Sequence, residues 1–113
     1  MNNNLLSSHG ESDFPVIKIG LDYTIMDCNV SALPLLNLWN CQVNNPIPEK
    51  VMKQYPEIRD SVKSNDEGGL QVKYNDYVIR FTVVPFPEAG YIGLYGYQVE
   101  KSERPVAIYY DKN

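Results

Sequence analysis

The stretch around Asn75-Asp76 constrains this chain more than any other part of it. Leu70, Val72 and Tyr74 alternate with Gln71 and Lys73 before it, and Ile79, Phe81 and Val83 alternate with Arg80 and Thr82 after it. Period-two alternation marks a strand with one buried face, and Asn-Asp between two such runs suits a two-residue hairpin turn. That loop sets Tyr74 opposite Tyr77, Val72 opposite Ile79 and Leu70 opposite Phe81. The apolar and aromatic residues then share one face, and Gln71, Lys73, Arg80 and Thr82 share the other. A one-residue slip would mix the two sets, so turn and pattern specify the same register.

The rest of the chain is read outward from this hairpin. Val16-Ile17-Lys18-Ile19 predicts a strand, Gly20-Leu21-Asp22 a turn, and residues 23–28 a second strand. That second strand is antiparallel to the first, because the link is too short for a crossover. Asn29 and Ser31 are helix-start residues, with Ala32, Leu35 and Leu36 following at helical spacing and Pro34 tolerated in the first turn. Residues 38–47 are irregular, anchored by Trp39. Val51, Tyr55, Ile58 and Val62 recur as on one amphipathic helix, but Pro56 inside it would cost about 3 kcal/mol. Two short helices opened by Pro48 and Pro56 fit better, the second ending near residue 64 before a polar turn over residues 65–69. Residues 85–90 turn the chain again. Residues 91–99 form a last strand, with Tyr91, Tyr95, Tyr97 and Val99 on one face and Ile92 and Leu94 on the other.

This order predicts an α+β fold: a five-stranded antiparallel sheet with short helices packed on one face. Residues 1–13, polar apart from Leu5 and Leu6, read as a flexible or docking tail. Residues 14–100 read as the domain. Residues 101–113 read as a linker in which Val106-Ala107-Ile108-Tyr109-Tyr110 is extended. A length of 113 residues suits one domain, which can hide roughly two-thirds of its unfolded surface.

Charge narrows the partners. The net charge is −4 and the ten basic residues are scattered among acidic ones, whereas a nucleic-acid footprint needs a basic face and a membrane-surface anchor needs a basic cluster. No apolar run reaches the length of a membrane span, and the N-terminus lacks a basic-then-apolar signal pattern. Cys28 and Cys41 read as reduced, buried thiols. The expected setting is the cytoplasm.

Three segments carry a resemblance. Asp22-Tyr23-Thr24-Ile25-Met26-Asp27-Cys28-Asn29-Val30-Ser31-Ala32, followed by Leu35-Leu36, resembles the opening of a PAS domain (sensory box). Tyr55-Pro56-Glu57-Ile58-Arg59 is similar to the start of that family's long lateral helix. Pro85-Phe86-Pro87-Glu88-Ala89-Gly90-Tyr91-Ile92-Gly93-Leu94-Tyr95-Gly96 resembles the final hairpin of PAS domains in bacterial sensor histidine kinases and diguanylate cyclases. The likeness spans residues 14–100. It departs at the end of the last strand, where the family often has Asp-Ile-Thr coupling the domain to its output helix and this chain has Gln98-Val99-Glu100.

The resemblance implies a regulatory domain of a two-component or cyclase-type signalling protein, with no catalysis of its own and an output domain outside this chain. The family's fold is a cupped hand, the sheet as palm and the helices as fingers. Leu70, Val72, Tyr74, Ile79, Phe81 and Val83 would then be the palm, and Leu36, Trp39, Val51, Tyr55 and Ile58 the fingers. These residues describe equally a pocket for a small apolar ligand and a filled core.

Specific cofactors find little support in the residues. Haem-binding relatives use a histidine on the lateral helix, and the only histidine here is His9, in the tail. Flavin photoreceptors use a reactive cysteine in Asn-Cys-Arg-Phe-Leu-Gln, of which only Asn40-Cys41 is matched, so covalent flavin is disfavoured too. No metal-ligand spacing, nucleophile–histidine pair or phosphate loop is present. Tyr91, Tyr95 and Tyr97, with Val78 and Val84, are candidates for an interface in a homodimer or with another segment, or else reflect the ordinary strand preference of Tyr.

Overall fold

The computed structural model describes residues 14–101. The expected tail over residues 1–13 and the extended segment around Val106 lie outside the described residues.

The central hairpin has the register its sequence predicts. β3 (Gly68–Tyr74) pairs with β4 (Tyr77–Phe86) through Leu70↔Phe81, Val72↔Ile79 and Tyr74↔Tyr77. Asn75 takes the left-handed conformation, φ 55°, that a tight hairpin turn requires. Both strands run longer than expected. Gly68 and Gly69 pair with Val83 and Thr82, so they open β3 instead of belonging to the preceding turn. At the far end Pro85 and Phe86 continue β4. Pro85 lies beyond Val83, the partner of the first residue of β3, so its missing N–H leaves no ladder bond to β3 unmade.

Gly90 (φ 82°) ends the next turn, where its N–H donates to the carbonyl of Phe86. β5 (Tyr91–Lys101) then runs between β4 and β1 (Val16–Gly20), and β2 (Ile25–Cys28) pairs with the outer side of β1. The result is one five-stranded antiparallel sheet in the order β2-β1-β5-β4-β3. β2 starts later than the alternation predicts because Tyr23, at φ 69°, belongs to the turn. The Tyr23 N–H donates to the Gly20 carbonyl and the Gly20 N–H to the Thr24 carbonyl, which uses up the backbone that a longer strand would need.

All the described helices fall between β2 and β3. A 3₁₀ turn (Val30–Ala32) runs into α1 (Leu33–Leu38), followed by α2 (Glu49–Gln54) and α3 (Glu57–Ser64). Pro48 and Pro56 occupy the N-cap positions of α2 and α3, and Tyr55 between them (φ −125°, ψ 71°) is not helical. The proline argument against one continuous helix therefore corresponds to a real break. Asn29 precedes the 3₁₀ turn, but its side chain reaches across the chain. Its Oδ1 accepts from the Val16 N–H at 2.9 Å and its Nδ2 donates to the Phe14 carbonyl at 2.9 Å, stitching the start of β1 to the end of β2.

The core lies between one face of the sheet and the helices. Ile17 and Ile19 of β1, Ile92 and Leu94 of β5, and Phe81 and Val83 of β4 meet Leu35, Met52 and Ile58 from the helical side, and each is essentially inaccessible to water. None of the described helices is long and apolar enough to cross a membrane.

Replacing Asn29 with alanine removes both stitching bonds and leaves the part-buried Val16 N–H without its acceptor. The expected loss is about 1–2 kcal/mol, read as a lower urea midpoint at unchanged slope; a midpoint equal to wild type would show that the stitch contributes nothing.

Candidate functional site

Ten of the eleven expected palm-and-finger residues are buried: Leu36, Trp39, Val51, Tyr55, Ile58, Leu70, Val72, Ile79, Phe81 and Val83. Tyr74 is half-buried and packs against the same cluster. They touch one another as a packed layer, and the recesses in this region open at its rim.

The better-formed recess is a cleft of about 350 Å³ between the end of α1, α2 and the edge strand β3. Its back wall is Trp39, held there by local geometry. After α1 the chain closes with a Schellman-type cap, in which Asn40 is left-handed (φ 59°), the Cys41 N–H donates to the Leu36 carbonyl, and the Asn40 N–H donates to the Asn37 carbonyl. That cap fixes the backbone of Trp39, which is 5% exposed. The break after α2 places Tyr55 beside it, with ring centroids 5.8 Å apart and planes tilted by 43°. Val51, Pro48 and Gln54 complete the walls, and Lys50 and Lys73 stand at the mouth.

Two polar atoms here are buried without a hydrogen-bond partner: Trp39 Nε1 and Glu57 Oε1. The indole N–H lies near enough to the Tyr55 hydroxyl to favour its ionised form, but outside the geometry of a hydrogen bond. Burial first, and the Glu57 charge second, outweigh that influence and hold the Tyr55 phenol above its usual range. A second, more open recess of about 420 Å³ shares Gln54 and Tyr55 and is bounded by Glu57, Leu70 and Arg80.

The opposite face of the sheet carries aromatic side chains. The Tyr95 ring lies across Gly93, so a Cβ at position 93 would stand 2.6 Å from the Tyr95 hydroxyl. Phe86 packs on Tyr91 at 4.9 Å, and Lys18 Nζ sits 4.5 Å above the Tyr91 ring. Burial, then the Tyr91 charge and its hydrogen bond, raise the Tyr95 phenol. Tyr97 does not continue this row. A bulge lets β4 step from Arg80↔Gln98 to Phe81↔Gly96, which takes Tyr97 out of the alternation and sets Val99 opposite the core residue Ile79. The single face of Tyr91, Tyr95, Tyr97 and Val99 read from alternation is therefore corrected to Tyr91 and Tyr95 alone.

Cys28 and Cys41 are free thiols and half-buried rather than buried. Burial raises both, with the Asp27 charge adding to the rise at Cys28, so neither is poised as a thiolate at neutral pH. Among the described residues no three His, Cys, Asp or Glu side chains are grouped to hold a metal ion.

No protein-family model matches this chain, and no curated protein matches it.

The rim cleft was not legible from pattern alone. Lys73 belongs to the polar set of the hairpin, and it reaches the helical side only because β3 is an edge strand.

Two expectations follow. Trp39→Ala should cost about 3–5 kcal/mol by removing a buried aromatic, whereas Trp39→Phe, which also deletes the orphan donor, should cost well under half as much; equal losses in thermal unfolding would mean that the indole N–H is satisfied. Because Tyr55 and Tyr95 are both raised above the usual phenol value of 10.0, their contribution is fully present below that pH and is lost as pH climbs through the folded values. Ultraviolet titration should show two phenols ionising above the usual phenol range, with stability falling over the same interval.

Proposed function

We propose that this chain is a PAS-type regulatory module of a bacterial signalling protein, which senses a small ligand and relays its state to an attached output domain. The observation that carries the reading is the arrangement β2-β1-β5-β4-β3, with every described helix inserted between β2 and β3 and packed on one face. That arrangement supports the palm-and-fingers likeness of the sequence. It places three short helices, of six, six and eight residues, over a long continuous sheet. Helices this short draw their stability from tertiary packing rather than from their own hydrogen bonds. A ligand that prefers one packing of this layer shifts the equilibrium by its differential affinity, and the strand ends transmit the change. The two free thiols suit a reducing, cytoplasmic setting.

Native mass spectrometry of the intact chain, with an absorption spectrum beside it, tests the reading. Added mass on the order of a few hundred daltons per chain, released on denaturation, is expected of a ligand the size of such a recess. A colourless chain without added mass would move the assignment to a second reading, a dimerisation module.

The aromatic face of the sheet favours that alternative. Phe86 is exposed and Tyr91, Tyr95 and Val84 are half-exposed beside it. The occupant best matched is a second copy, because the same face bears both signs of charge, Lys18 and Arg80 with Asp27 and Glu100, as a two-fold contact requires. Tyr95→Glu should then lower the dimer fraction in sedimentation; an unchanged oligomer would remove this face from the interface.

A further inference from the structure

We infer that the rim cleft is a binding site for a small organic anion with a flat or short apolar body, such as an aryl or acyl carboxylate. The inference rests on the ligand-sensing reading above and assigns both the place and the charge of the ligand. Its volume of about 350 Å³ falls at the small end of ligand sites, roughly 300–1,000 Å³, and its back is apolar: the Trp39 and Tyr55 rings and Val51.

The charged equipment of the cleft is one-sided, and its amides, Asn40 and Gln54, can serve either as donors or as acceptors. Trp39 offers a buried N–H with no acceptor, in a residue 95% buried by its 5% exposure. An indole can only donate, so the group that satisfies it must accept. Tyr55 keeps its proton at neutral pH, because burial and Glu57 raise it, and can donate as well. Lys50 and Lys73 are the charged residues of the lining, and no carboxylate belongs to it. The nearest acid on α2, Glu49, is turned to Arg59 at 3.9 Å. In a chain of net charge −4, two lysines facing one cleft with an orphan donor behind them select an anion. A carboxylate held by the two lysines would lay the ligand's apolar body along Trp39 and Tyr55, and a small rotation of the indole would turn its N–H, which has no accessible surface, toward that carboxylate.

Trp39 is the only tryptophan of the chain, so its fluorescence reports on the site. The full chain should be titrated with phenylacetate and hexanoate, each against its uncharged amide. The expected result is a saturable change in Trp39 emission with at least one carboxylate, at least about tenfold tighter than its amide and weakened by salt. The Lys50→Gln/Lys73→Gln variant, changed only at exposed positions, should keep the wild-type melting temperature and lose about tenfold in affinity. Amides binding as well as the carboxylates, or no saturation by either carboxylate, overturns the inference. The two readings fail separately. A co-purified ligand that neither carboxylate displaces leaves sensing intact and removes this site. Carboxylate binding that leaves the hydrogen exchange of α1 and α2 unchanged keeps the site and removes sensing.

Discussion

The pairing of β5 with β1 holds the two ends of the described chain together, and most of the molecule depends on it. β5 forms five cross-strand pairs with β1 on one side and a longer ladder with β4 on the other. The first hairpin would otherwise be two short strands of five and four residues with one apolar side, marginal in isolation. Joined to β5, Ile17 faces Leu94 and Ile19 faces Ile92, all fully buried. These contacts supply much of the floor on which the helices rest. The arrangement needs closure across more than seventy residues of sequence, which costs loop entropy before any contact forms. The continuous apolar face offsets that cost only when both halves are present.

The helical layer is built differently. Each helix is short, two are capped by proline, and left-handed asparagines fix the turns, Asn40 and Asn44 between α1 and α2 and Asn65 at the end of α3. Such a layer is positioned by side-chain packing and a few backbone bonds, so its rim can reorganise at lower cost than the sheet. The orphan indole N–H and the orphan Glu57 oxygen belong to residues that line the two recesses at that rim, and both residues act on Tyr55. Buried polar atoms without partners are expensive, and their grouping beside open recesses ties the least satisfied part of the core to the part most accessible to a ligand. The sheet face opposite is organised by aromatic packing over Gly93.

How much of this was legible in advance follows from how strongly each segment contrasts its two faces. The β3–β4 hairpin was, because polar and apolar residues alternate on both strands and Asn75 tolerates the left-handed turn. The two-helix reading of residues 48–64 followed from Pro56 alone. β5 was not fully legible: in Tyr91-Ile92-Gly93-Leu94-Tyr95-Gly96-Tyr97, tyrosine suits either face and glycine neither, so nothing in the pattern marks the bulge at Tyr97. Tyr23 in a left-handed turn has no residue-type signal either, since tyrosine rarely adopts it. The palm and finger residues could be named individually, but whether they enclose space or fill it depends on strand order and on which strand is the edge. Those are non-local facts, and the role of Lys73 at the cleft depends on them.

The central claim is that a rigid sheet carries a separately adjustable helical layer, and residue-resolved native-state hydrogen exchange tests it most directly. The slowest amides should lie in β1, β4 and β5 and exchange together by global unfolding. Those of α1 and α2 should exchange faster, through a local opening that leaves the sheet intact. Helical amides as slow as those of Ile92 and Leu94 would mean that sheet and helices open only as one unit, and the proposed relay would have no moving part.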